Sequence, residues 1–265
     1  MDLLVVSSTV AFITYLIATL AIISRLFHPK GPNLILVLSF GCIGLIAHSI
    51  SNSQFILMNG NVNFSLPNVI SLVSLLITLS VSAVALRYKV NLLLPVVYGF
   101  AGIWQVVMLF IPHVNEITLV AEQFILVSHI SMALIAYCVL IIGTLFSFQV
   151  AYINFKLKSK NLAAVTHFPP LMQVENQLFF ILALGTICLL VSQITGFIFL
   201  ENFLSKENAH KTVLSLISLL IYLTILWGHY KQGWRGHKVL VLTIIASILL
   251  TLAYFGSRFV KEFLL

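Results

Sequence analysis

HKTVLSLISLLIYLTILWGHYKQGWRGHK, His210 to Lys238, decides how the rest of the chain is read. After His210-Lys211 it runs sixteen residues, Thr212 to Trp227, without a charge, then closes on His229, Tyr230, Lys231, Trp234, Arg235, His237 and Lys238. An apolar run of membrane-spanning length that ends in an aromatic and basic collar is the signature of a helix leaving a bilayer. Histidines stand at both ends of it, so the same segment raises the question of what those imidazoles hold.

The composition agrees. The 265 residues are 60% hydrophobic and only 8% charged, with a mean hydropathy of +1.11, whereas soluble domains carry about 25% charged residues. This is an integral membrane protein. Eight spans of about 20 residues plus short connections use nearly all of it, so residues 1–265 read as one all-α membrane domain, an eight-helix bundle. The net charge of +7 is no nucleic-acid signal, because the basic residues sit in short loops beside spans. The first span has no basic n-region or small-residue cleavage site and reads as retained.

Outward from the opening stretch, the expected spans are Leu3–Phe27, Leu34–Met58, Asn68–Leu86, Leu92–Ile111, Glu122–Tyr152, Leu178–Leu200, the opening stretch itself and Val239–Phe259. The connection NGNVNFSLPN reads as an uncharged polar loop, and the longest connection carries Lys156, Lys158 and Lys160. Arg25, Lys30, Arg87, Lys89, Lys156, Lys158, Lys160, Lys231, Arg235 and Lys238 fall on one side; Lys206, Lys211, Arg258 and Lys261 fall on the other. The richer side is expected to be cytoplasmic, which places both termini outside.

The chemistry open to such a bundle is narrow. None of the acidic residues Asp2, Glu116, Glu122, Glu175, Glu201, Glu207 and Glu262 falls in mid-span, although carriers of protons or metal cations commonly keep carboxylates there. No nucleophile motif or phosphate-binding glycine loop is visible, and no enzymatic activity is expected. Cys42, Cys138 and Cys188 lie in apolar runs with no CxxC or CxxCH among them, so they read as structural.

Histidine remains. A buried imidazole needs a partner, whether a neighbouring helix, a backbone carbonyl, water or a metal. His48, in GLIAHSIS, lies near the middle of its span, and His129, in ILVSHISMALIAY, near the outer end of its own. Each alone reads equally well as a packed or interfacial histidine. Together their depths differ by about four residues, or ~6 Å, an offset across which two side chains could meet one iron. His210 is an alternative to His129 or an exposed neighbour of Lys211. His229, at the inner end of its span, is well apart in depth from His48 and His129 and fits an aromatic belt with Trp227 and Trp234. His28, His113, His167 and His237 are loop residues. Trp104, Tyr137 and Tyr222 read as packing or interface anchors.

The run SHISMALIAYCVLIIGTLFSFQVAYINFKLKSK, the PPLMQVENQLFF after it, LPNVISLVSLL, the AHSIS around His48 and the closing stretch from His210 to Val260 resemble the YpjD branch of the cytochrome c assembly superfamily, which includes CcsA, ResC, CcmC and HemX. The resemblance covers most of the chain. It implies a multi-pass protein of the bacterial inner membrane that binds or handles haem b. By context His48, His129 and His229 resemble the family's haem ligands; their depths, independently of the resemblance, make His48 and His129 the axial pair and His210 the further candidate. The Trp-rich segment with which those relatives present haem has no counterpart here: Gly196–Lys211, GFIFLENFLSKENAHK, has neither tryptophan nor aspartate. Beyond the lipid bilayer, the expected partner is another membrane assembly or transport subunit; no nucleic acid is expected. A second reading, from another class, is an accessory or regulatory subunit for magnesium or cobalt transport that holds no haem.

Overall fold

The computed structural model describes residues 3–26, 28, 31–58, 61–63, 65–111, 118–119, 124–160, 168–199, 209–256 and 259. Eight helices occupy them: α1 Leu3–Ile23, α2 Leu34–Ile56, α3 Leu66–Ala85, α4 Leu93–Phe110, α5 Phe124–Lys158, α6 Leu171–Phe199, α7 Ala209–Gln232 and α8 His237–Thr251, the last continued by a π-helical turn, Leu252–Gly256. All eight contain a stretch long and apolar enough to cross a membrane. Only helices and closed barrels satisfy every backbone N–H and C=O without water, so a chain this apolar has little other choice.

Hydropathy marks where a helix leaves the hydrocarbon, and helices need not stop there. Thus α5 runs past Tyr152 to Lys158 and carries Lys156 and Lys158, expected in the connection, in its last turn. Likewise α6 begins at Leu171, directly after Pro169-Pro170, where Gln173 and Val174 donate back to the Pro170 carbonyl. Proline fits a helix start because its missing N–H would be unpaired there anyway. Glu175 is thereby drawn into the helix. The polar connection after α2 differs from expectation too: β1 Leu57–Met58 and β2 Asn61–Asn63 pair antiparallel, and β2 also pairs with β3 Thr118–Leu119. Asn59-Gly60 between the first two is the sequence signal for a two-residue hairpin turn.

The chain divides into two compact units: residues 1–120 with 161–169, and residues 121–160 with 170–265. Each unit's four helices form a closed ring of neighbours. In the first, α1 packs on α2 and α4, and α3 on the same two; in the second, α5 packs on α6 and α8, and α7 on the same two. The polarity is inverted relative to a soluble bundle. Ile35, Phe110, Phe180 and Phe197 are widely exposed, while His48, Ser71, Gln105, Ser192, Ser218 and Thr243 are fully buried. That distribution suits lipid as the solvent.

Small residues bring the helices close. A Cβ on Gly41 or Gly44 of α2 would overlap the rings of Tyr98 and Tyr15. In the second unit Gly143 on α5 faces Leu182 of α6, and Gly185 on α6 faces Leu140 of α5, a reciprocal knob-and-notch contact.

Candidate functional site

His48 is at the centre of the first unit's polar interior and is fully buried. Its Nε2 is 3.1 Å from Ser71 Oγ and its Nδ1 3.4 Å from Tyr15 Oη. The neighbours fix the tautomer. Ser71 has one proton, which it donates to Asn52 Oδ1 at 2.6 Å, and it accepts from Gln105 Nε2 at 3.1 Å. With that proton committed, Ser71 can only accept from His48, so Nε2 carries the hydrogen and Nδ1 accepts from the Tyr15 hydroxyl. Tyr15 is held in turn by stacking on Tyr98, 5.5 Å between centroids, and the Tyr98 hydroxyl lies 2.9 Å from Ser82 Oγ. All four helices of the unit contribute: Tyr15 from α1, Asn52 and His48 from α2, Ser71 and Ser82 from α3, Tyr98 and Gln105 from α4.

An axial iron ligand needs one ring nitrogen on the metal and uses the other to orient itself. At His48 both nitrogens are engaged within the protein, so this arrangement does not fit that role. It is a buried hydrogen-bonded network with histidine as its hub.

The second unit holds His129, His210 and His229. His129, half-buried in the first turns of α5, places Nδ1 3.5 Å from Thr195 Oγ1 on α6. His210 is exposed in the first turn of α7. Gln193 Nε2 of α6 donates to Ser215 Oγ of α7 at 3.0 Å, which puts His210 at the same end of the unit as His129.

His229 lies at the other end. Its ring stacks on Phe179 of α6, 3.3 Å between centroids and 13° from coplanar. Phe179 and Thr195 are sixteen positions apart on one helix, about 24 Å at the α-helical rise. His129 and His229 therefore cannot share one iron, in keeping with the depth difference read from sequence. His113, His167 and residues 200–208 lie outside the described residues.

The turn after α7 is built around His229. Gly233, in the left-handed region at φ 65°, donates to the His229 carbonyl at 3.0 Å and caps the helix. Trp234 N–H reaches back to the Gly228 carbonyl at 3.1 Å, and a Cβ on Gly228 would overlap the Trp234 indole. Closing the loop, His229 Nδ1 donates to the Trp234 carbonyl at 3.0 Å. A carbonyl can only accept, so Nδ1 bears the hydrogen and Nε2 the lone pair. Among the described residues no hydrogen bond is made to that Nε2.

A bond of this kind orients an imidazole and leaves its other nitrogen facing outward, the geometry a metal ligand requires. Arg235 reaches Glu175 of α6 at 3.8 Å yet keeps a side chain 58% exposed, and Lys231 and Lys238 are also exposed. Cations so placed can neutralise propionate carboxylates. Glu175 and Phe179 are one turn apart on α6; Glu175 fell outside the span expected to begin at Leu178, and Phe179 lay within it with nothing along the chain to say that it would meet His229. Among the described residues no group of three or more His, Cys, Asp or Glu side chains could hold a bare metal ion.

Residues 36–265 match the family model described as cytochrome C assembly protein. The chain is 38% identical over 259 residues to inner membrane protein YpjD of Escherichia coli strain K12, covering 97% of this chain and 98% of that protein. It is also 32% identical over 140 residues to an uncharacterized 28.8 kDa protein of Azospirillum brasilense, 52% of each chain. No solved structure matches. Eight membrane-length helices and the inner-membrane relative make this a multi-pass inner-membrane protein, and with the match over residues 36–265 the chain belongs to the cytochrome c assembly protein family.

Proposed function

We propose that this chain is a non-enzymatic haem-handling protein that holds haem b through the His229 imidazole at the Lys- and Arg-rich end of its second unit. The observation that carries the reading is the Nδ1–H bond from His229 to the Trp234 carbonyl, which leaves Nε2 as a lone-pair donor on a ring already fixed in plane. Membership of the cytochrome c assembly protein family supports haem as the group held. Phe179 limits rotation of the imidazole by covering its face, and Arg235, Lys231 and Lys238 supply positive charge for carboxylates. Bound haem would supply a redox-active iron whose potential follows from its axial ligand and the dryness of its surroundings.

His129 and His210 lie at the opposite end of the unit from His229. His48 keeps its packing role in the first unit. The charge asymmetry along the chain supports a cytoplasmic location for the His229 end and external termini. With no tryptophan in Gly196–Lys211, the chain is better suited to holding haem than to presenting it to an apocytochrome.

The experiment is spectroscopic. Detergent-purified protein, supplied with haem, is recorded oxidised and reduced. A Soret band that is lost in His229→Ala and kept in His48→Gln supports the proposal. Absence of the band in the parent protein, or a band indifferent to His229→Ala, refutes it.

A further inference from the structure

Around Ser71 two buried amides are each satisfied at one end only. Asn52 Oδ1 accepts the Ser71 proton, but Asn52 Nδ2 finds no partner among the described residues; Gln105 Nε2 donates to Ser71 Oγ, but Gln105 Oε1 finds none either. Asn52 is 3% exposed and Gln105 0%. An amide donor and an amide acceptor so fully buried lose their water without recovering a hydrogen bond, and native interiors rarely leave such groups alone. The two orphans are of opposite sense and flank the same oxygen, which distinguishes them from scattered packing defects.

We propose that one neutral hydroxyl ligand, a water molecule, binds between Asn52 and Gln105 and closes a hydrogen-bonded ring. The ring runs Ser71 O–H to Asn52 Oδ1, Asn52 Nδ2–H to the water oxygen, water O–H to Gln105 Oε1, and Gln105 Nε2–H back to Ser71 Oγ. Every donor points the same way round. Bonds in such a ring polarise one another, so the closed ring is stronger than its separate links. A cation is refused by the Asn52 N–H and an anion by the Gln105 carbonyl oxygen, which is why the ligand is neutral and both donates and accepts. Internal waters typically make about 2–4 hydrogen bonds to such groups.

The ring has a consequence for His48. Its Nε2–H bonds to the remaining lone pair of Ser71 Oγ, so the water, the ring and the imidazole form one continuous unit that ends on the Tyr15 hydroxyl. The ring therefore ties α2, α3 and α4 together near the end of the unit where α2 and α4 finish and α3 begins, and His48 extends it to α1. None of this depends on haem binding.

The test is an experimental structure of the full chain at a resolution that shows ordered water. The expected result is a density peak within about 2.6–3.2 Å of both Asn52 Nδ2 and Gln105 Oε1, lost in Gln105→Leu while the His48–Ser71 bond remains. Gln105→Glu, which keeps an acceptor oxygen facing the water, is expected to retain the peak and stands in should the leucine variant fail to fold. The proposal is overturned by no peak in the parent, by the two amides bonding each other or another side chain, by a peak that survives Gln105→Leu, by its loss in Gln105→Glu, or by one that appears only when a monovalent cation is added.

Discussion

The His229 imidazole lies flat on the Phe179 ring, 3.3 Å between centroids, while its Nδ1 donates to the Trp234 carbonyl. One side chain thus joins α6, the end of α7 and the turn into α8. The carbonyl fixes which nitrogen holds the proton, and the phenyl ring fixes the plane in which the other presents its lone pair. The two contacts separate experimentally, because one sets chemistry and the other orientation.

Phe179→Leu removes the stacking and keeps an apolar side chain of similar reach. Stacked aromatic pairs contribute about 0.5–1.5 kcal/mol beyond their buried area, so haem affinity is expected to fall roughly two- to tenfold. The Soret position should stay where the parent protein has it, since the ligand is unchanged. Haem titration followed by absorbance reads both. Complete loss of the band in this variant would show that Phe179 does more than orient the ring.

Glu175 and Arg235 form an ion pair of unequal partners, the carboxylate buried and the guanidinium largely in solvent. Removing the exposed partner strands a buried charge, whereas neutralising the buried one leaves a cation that water can solvate. Arg235→Ala should therefore lower thermal stability more than Glu175→Gln. The difference is expected to be modest, about 1 kcal/mol, because solvent screens the guanidinium. Equal melting temperatures would mean that Glu175 is held by other groups.

How much of this the sequence announces depends on the range of the interaction. Membrane spans are local: some twenty apolar residues leave little alternative, and all eight helices were legible from hydropathy. Their ends were less so. Lys156, Lys158, Gln173 and Glu175 are compatible with a helix once it has left the hydrocarbon, and hydropathy is silent there. The hairpin was announced only by Asn59-Gly60, easily passed over in a polar run. At His48 the residue was visible but its meaning was not, because Tyr15, Ser71 and Gln105 come from three other helices and no spacing along the chain says which faces will meet. Asn52 and Gln105 offered a signal all the same, since amides within apolar spans demand partners. His229 was placed at the correct end of its helix, but its bond to Trp234 depends on a turn with two positive-φ glycines, Gly233 and Gly236.

The charge asymmetry makes a topological prediction. With the Lys-rich ends inside, a single cysteine replacing Lys158 should react with a membrane-impermeant thiol reagent only after the inner membrane is breached, and one replacing Lys261 should react in cells whose outer barrier alone is opened. The native cysteines Cys42, Cys138 and Cys188 are replaced beforehand to leave a clean background. The reverse pattern would put the His229 end outside and invert the proposed orientation.

Close helix approach in the first unit gives a steric prediction with an internal control. On α2, Gly41 leaves room for the Tyr98 phenol and Gly44 for the Tyr15 ring, whereas a Cβ on Gly99 of α4 would touch Thr19 only at 4.0 Å. Alanine at Gly41 must displace the Tyr98 hydroxyl from Ser82 or push α2 away, and alanine at Gly44 must move the ring that donates to His48. Overpacking of this kind costs about 1–3 kcal/mol, so Gly41→Ala and Gly44→Ala should each lower the melting temperature of the purified protein. Gly99→Ala should leave it unchanged or raise it slightly, since alanine is the better helix former. The same three variants probe the division of labour between the units. If His48 serves packing and His229 the haem, Gly44→Ala will destabilise the protein while its remaining folded fraction keeps the parent Soret band. A shifted band in Gly44→Ala, with His229 untouched, would instead make the Tyr15–His48 pair part of the haem site.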